Sequence, residues 1–186
     1  MRIYSRRGDR GKTRLRPGAK QISKASAVVR AVGSLDEVCS AIGFALAAGG
    51  PADTAEALKK VQGLLFELGA ELAHPPAGGR APRVRTAPAG RQVQEIEGMI
   101  DSFDAQLEPL RRFILPGGSE LASRLHLARA ICRRAERDAV ALAEEEELPP
   151  EALAFMNRIS DLLFVLARLA NKRLAIPEEE WHGEEK

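Results

Sequence analysis

Apolar residues recur every three or four positions along most of the chain, a spacing that predicts five helices. The first is read from Ser34, where Ser34-Leu35-Asp36-Glu37 has the form of a capping box, and carries Leu35, Val38, Ile42 and Leu46 before Gly49-Gly50-Pro51 stops it. The second runs from about Asp53 to Leu72, with Leu58, Val61, Leu65, Leu68 and Leu72 at helical spacing, and a shorter third from about Gln92 to Gln106. Between them, residues 74–91 are so rich in Pro, Gly and Arg that they read as a mobile loop. The fourth helix, from Ser119 to about Glu146, places Leu121, Leu125, Ala128, Cys132, Ala135, Ala139 and Leu142 on one face. The fifth starts after Pro149-Pro150 and runs to about Leu174, proline being tolerated in a first helical turn. Long helices with short connections predict an all-α fold, a five-helix bundle.

Composition changes this picture little. At 186 residues, with aromatics at 4%, the chain reads as one domain over 1–186: a basic segment 1–30, a bundle 31–174 and an acidic tail 175–186. The net charge is only +2, yet ten Lys and Arg fall within residues 1–30 against the single acid Asp9. A local cationic segment on an acidic body suits an anionic ligand better than a nucleic acid, which would meet neither interleaved aromatics nor a uniformly basic face. Cys39 and Cys132 fall inside predicted helices and read as free, buried thiols, as in a reducing compartment. No apolar run is long enough for a membrane span and the start lacks a secretory signal's apolar core, so a cytoplasmic protein is expected.

The candidate chemistry lies in four places. In Arg6-Arg7-Gly8-Asp9-Arg10-Gly11-Lys12-Thr13-Arg14-Leu15, the Gly-Lys-Thr resembles the end of a Walker A loop. That motif needs a glycine where Arg6 stands, a preceding apolar strand and a following helix, none of which is present, so what remains is a cationic glycine loop suited to phosphate. On the fourth helix, His126, Arg129, Arg133 and Glu136 form a stripe flanking the apolar face, with Arg137 at its edge and Arg134 pointing further away. On the fifth, Asn157, Asp161, Phe164 and Arg168 share a face separate from Met156, Ile159, Leu163 and Leu166. Solvated faces with spaced ion pairs are the plain alternative, but guanidinium groups clustered beside a packed face also suit bidentate polyphosphate binding. The Pro116-Gly117-Gly118 turn, preceded by Phe113, Ile114 and Leu115, feeds the fourth helix, where free amides could meet an anion or where the loop is simply pinned to the core. Glu71-x-x-His74 and Glu179-x-x-His182 echo di-iron bundles without converging carboxylates and read as chance, the second in a frayed tail, so no metal-ligand set is assigned.

Taken together, residues 33–43 (GSLDEVCSAIG), 64–73 (LLFELGAELA), 113–119 (FILPGGS), 126–137 (HLARAICRRAER) and 157–168 (NRISDLLFVLAR) resemble the PduO-type ATP:corrinoid (cobalamin) adenosyltransferases over nearly the whole chain. The resemblance implies a homotrimer with active sites between subunits, transfer of the 5'-deoxyadenosyl group of ATP to cob(I)alamin with release of triphosphate, Mg2+ at the phosphates, and a flavin-dependent reductase as partner. It implies that Arg133, Arg134, Glu136 and Arg137 serve the phosphates and metal, that Asn157 completes the nucleotide site, and that Arg129 pairs with Asp36 of a neighbouring subunit. Asp161 would support the corrin side, and Phe113 would be the wedge that excludes the lower axial ligand of cobalt. The nucleotide loop would use Arg7, Gly8, Asp9, Arg10, Thr13, Arg14 and Lys24. This loop departs most from the family pattern, with arginines where a threonine and a serine are usual, which leaves a low-turnover cobalamin- or nucleotide-binding relative as the alternative.

Overall fold

The computed structural model describes residues 4, 6, 8–73 and 90–182. Five helices carry the fold: α1 (Ala27–Leu46), α2 (Ala52–Ala73), α3 (Gly90–Asp104), α4 (Glu120–Glu145) and α5 (Pro150–Arg173). Before them, β1 (Lys12–Thr13) and β2 (Ile22–Ser23) pair antiparallel, Lys12 opposite Ser23 and Thr13 opposite Ile22. The segment read as a cationic glycine loop thus leads into a short hairpin, closed further by Lys24 N–H donating to the Gly11 carbonyl at 2.9 Å. Gly11 ends the turn at 8–11 that leads into β1, at φ 71°, a backbone that L side chains rarely adopt.

The helices pack in the order α2–α1–α4–α5–α3, with α2 also touching α5. The apolar faces read from the sequence form the core: Leu35, Val38 and Ile42 of α1, Leu58 to Leu72 of α2, Leu121 to Leu142 of α4, and Met156 to Leu166 of α5 are buried at their apolar positions. At roughly 25 cal/mol per Å² of apolar surface removed from water, this shared core is the main stabilising term.

Three expectations are corrected. The first helix begins at Ala27, not Ser34, because Ala27, Val28 and Ala31 extend the buried face by two turns. Ser34 is no cap: its hydroxyl donates to the Arg30 carbonyl one turn back at 3.0 Å and to the Asp138 carboxylate, tying α1 to α4. The fifth helix has no separate solvated face toward its end, since Arg168 and Asn171 are buried there. Finally, the tail is not frayed as far as it is described. Ile114 and Glu180 form a β-bridge, Leu115 N–H donates to the Glu179 carbonyl and Trp181 N–H to the Phe113 carbonyl, both at 2.8 Å. The helix α4 N-terminus follows the sequence, with the Ser119 hydroxyl accepting from Ala122 N–H at 3.1 Å. The mobile loop expected at 74–91, with His74, lies almost wholly outside the described residues.

Candidate active site

The tail, the 110–114 loop, α4 and α5 enclose a cleft of about 830 Å³ lined by Phe113, Arg129, Arg133, Asp161, Phe164 and Trp181, among others. Its floor is set by helix periodicity. Arg129 and Arg133 lie one turn apart on α4, and Ser160, Asp161, Phe164 and Val165 face them from α5. Phe113 projects from the loop with 80% of its surface exposed, which is unusual for a ring of that size unless something else covers it.

Two buried groups hold that loop in place. Asn171 accepts from Ser119 N–H at 2.8 Å and donates to the Gly117 carbonyl at 3.0 Å. Gly118 sits at φ 100°, and a Cβ there would lie 2.3 Å from Asn171 Oδ1, so both backbone and space demand glycine. Arg168, 6% exposed, donates to Glu178 at 3.0 and 3.2 Å and to the Glu108 carbonyl at 2.8 Å. Of the two Pro-Gly-Gly readings, these contacts favour the loop pinned to the core, with the Ser119 and Ala122 amides satisfied from within the chain.

The expected site residues separate into groups. Phe113, Arg129, Arg133 and Asp161 share the cleft. Beside it, Asn157 Nδ2 donates to Glu136 at 3.2 Å, and Arg158 bridges Asn157 Oδ1 at 2.9 Å, Glu97 at 2.8 Å and Asp161 at 3.6 Å. Arg137 donates to the Arg133 carbonyl at 3.0 Å, while Arg134 turns away to pair with Glu37. Gly8, Thr13, Arg14 and Lys24 line a second cavity of about 550 Å³ in the hairpin, joined by Lys12 and Arg16 and, among the described residues, by no acidic one. Asp9 and Arg10 are exposed in the turn at 8–11 that precedes β1, and Arg7 falls outside the described residues. Asp36 is exposed on α1, and Arg129 lies with its guanidinium carbon 5.9 Å from the Phe164 ring centre and its buried Nε without a hydrogen-bond partner.

The electrostatics favour binding of anions over nucleophilic catalysis by the protein. Burial, and then the nearby Asp36 carboxylate, push the Cys39 thiol up to about 11. Burial, then Glu136 and Asp161, push Cys132 up to about 12, and neither thiolate is accessible near neutrality. Buried His126 rests 6.0 Å from the Phe164 ring, both ring nitrogens lacking partners, and burial followed by the Arg129 charge lowers its pKa. Among the described residues, no three His, Cys, Asp or Glu side chains cluster as a metal site, and His182 instead accepts from Arg112 at 2.6 Å.

These features coincide with a family pattern: the model of the cobalamin adenosyltransferases matches residues 3–170. The chain belongs to that family. It is 41% identical over 182 residues to the corrinoid adenosyltransferase MMAB of Bos taurus, covering 96% of this chain and 75% of the relative. It is 40% identical over 185 residues to the corrinoid adenosyltransferase of Bacillus subtilis (strain 168), covering 97% and 92%. A phenylalanine-to-alanine variant of a PduO-type ATP:corrinoid adenosyltransferase from Lactobacillus reuteri, complexed with cobalamin and ATP, superposes with a TM-score of 0.87 at 34% identity, covering 98% of this chain and all (100%) of that one. An arginine-to-lysine variant from the same organism, complexed with ATP, gives 0.84 at 35% identity, with 97% and 100% covered.

Within this adenosyltransferase fold, sequence reasoning missed Trp181 and Arg158. Trp181 is the chain's only tryptophan, which was the one local signal that an acidic tail had an anchoring task. Arg158 follows Asn157 directly and, on helical periodicity alone, could not be told from a solvated arginine.

Proposed function

We propose that this protein transfers the 5'-deoxyadenosyl group of ATP to cob(I)alamin, giving adenosylcobalamin and triphosphate. The observation that carries the reading is the cleft itself, in which an exposed phenylalanine stands among aromatic walls with Arg129, Arg133 and Asp161 around it. The Co(I) lone pair attacks C5' of ATP, the cobalt–carbon bond forms, the C5'–O bond breaks, and its electron pair leaves on the triphosphate. Because the substrate is the nucleophile, the protein needs none, which agrees with its two suppressed thiols. Its tasks are to align the two reactants and to stabilise the charge growing on the leaving group.

Phe113 occupies the lower axial side of the corrin and keeps the displaced base away from cobalt. Asp161, steadied by Arg158, lies on the corrin side. The hairpin cations, with Arg133 and Arg137, hold the triphosphate, Arg134 joining them only on leaving its Glu37 partner, and Asn157 and Glu136 complete the nucleotide site. Mg2+ would be held mainly by the phosphates, with Glu136 as the carboxylate that would help hold it, and the ion would neutralise charge on the leaving triphosphate. The cleft and the hairpin cavity share no lining residue, and Arg129 keeps an orphaned buried Nε. Both observations support a homotrimer in which Arg129 pairs with Asp36 across subunits and sites form between them. Operation in the cytoplasm beside a flavin-dependent reductase completes the proposal.

A second reading rests on Arg14 and Arg16 in the hairpin cavity, whose added charge suits a relative that holds nucleotide or cobalamin with little turnover. Anaerobic mixing of the protein with cob(I)alamin and Mg-ATP separates the two. The spectral change of cobalt–carbon bond formation is expected, whereas binding of both substrates without that change would favour the second reading.

A further inference from the structure

We propose that Arg111 forms a subsite for the phosphate in the nucleotide tail of the corrinoid, an inference that rests on reading the cleft as the corrinoid site. In cobalamin the lower base is tied to the ring edge through a chain that contains one phosphodiester. Displacing the base from cobalt does not cut this tether, so its phosphate stays within tether reach of the lower face. That charge makes cob(I)alamin one unit more negative than cob(I)inamide, which lacks the tail.

The cleft is prepared for that extra charge. Among the described residues, Arg111, Arg112, Arg129 and Arg133 line it against one acid, Asp161, which already faces Arg158 at 3.6 Å. Three of these four arginines have other occupations. Arg112 is engaged with His182 at 2.6 Å and lies 3.9 Å from Glu180 of the tail. Arg129 lies against Phe164, and Arg133 faces the triphosphate in the reading above. Arg111 is exposed, makes no hydrogen bond or ion pair among the described residues, and stands two positions from the wedge Phe113 on the same loop. A displaced tail swings out on the Phe113 side, and Arg111 is the uncommitted cation there. Its planar fork suits a phosphate's paired oxygens.

The test compares equilibrium binding of Co(II) cobinamide, cobinamide phosphate and cobalamin, followed by quenching of Trp181, which lines the same cleft. Cobinamide phosphate should bind about threefold to fivefold more tightly than cobinamide, the size expected of an exposed ion pair, and added salt should shrink the gap. In Arg111→Ala the gap should close, and in Arg111→Lys a part of it should return, with unchanged helical circular dichroism in both. Equal affinities in the unaltered protein, or a gap that survives Arg111→Ala, would overturn the subsite. Adenosylation with Mg-ATP is read in parallel. Phosphate preference without turnover supports the subsite and removes the transfer reading, turnover without preference does the reverse, and failure of every corrinoid to bind overturns both.

Discussion

Replacing Arg168 with alanine tests how the wedge loop is supported. The guanidinium is 6% exposed and makes three close contacts, two to the Glu178 carboxylate at 3.0 and 3.2 Å and one to the Glu108 carbonyl at 2.8 Å. Removing one member of a fully buried ion pair costs about 3–5 kcal/mol, mostly because the other charge is left unpaired. The Glu178 side chain is 23% exposed, so water reaches it and the cost should fall to about 2–3 kcal/mol. For a chain of this size that is a drop of roughly 5–10 °C in Tm. The loss should also be local first. Trp181 reports the tail and far-UV circular dichroism reports the helices, so in Arg168→Ala the fluorescence transition in urea should precede the helical one. Combination with Glu178→Ala should show coupling of at least about 1 kcal/mol between the two positions. Additive effects, or an unchanged Tm with coincident transitions, would refute the claim that this pair fastens the tail to the loop.

Three further outcomes are expected. Arg133→Ala should lower adenosyl transfer at least about a hundredfold while stability changes by less than about 0.5 kcal/mol, since the side chain is exposed; wild-type kcat/KM would rule out its phosphate role. Phe113→Ala should leave ATP affinity and folding intact, yet abolish the electron paramagnetic resonance signal of four-coordinate Co(II), and a retained signal would remove the wedge. For His126, burial and then Arg129 lower the folded pKa while Glu178 opposes them. The unfolded chain therefore takes up the proton more readily, and stability should decline as pH falls below about 6.5. Chemical denaturation from pH 7.5 to 5 should show that slope, and His126→Leu should flatten it; an equal slope in both proteins would place the titration elsewhere.

Most of the bundle was legible because α2, α4 and α5 bury faces of strict helical period, which sequence displays directly. The start of α1 was obscured by Ser34 and Glu37, which mimic a cap. In the fold the Ser34 hydroxyl bonds back to Arg30 within a continuing helix, a competition that local sequence does not resolve. Arg168 looked like part of a solvated stripe because burial against a loop 60 residues away, at Glu108, leaves no periodic mark. The bridge from Ile114 to Glu180 is equally non-local, which is why the tail's place at the cleft went unread, while Arg129, Arg133 and Asp161, which share that cleft, could be named from helical periodicity. The hairpin at 12–23 was missed because two-residue strands carry too little alternation to be seen.

The central claim is the transfer reaction, and product stoichiometry tests it most directly. Purified protein should be mixed without oxygen with cob(I)alamin and Mg-ATP, and the nucleotide products and corrinoid should be resolved by chromatography. The account predicts one light-sensitive adenosylcobalamin and one intact triphosphate for each ATP consumed. Release of ADP and phosphate, or consumption of ATP without a cobalt–carbon bond, would contradict it.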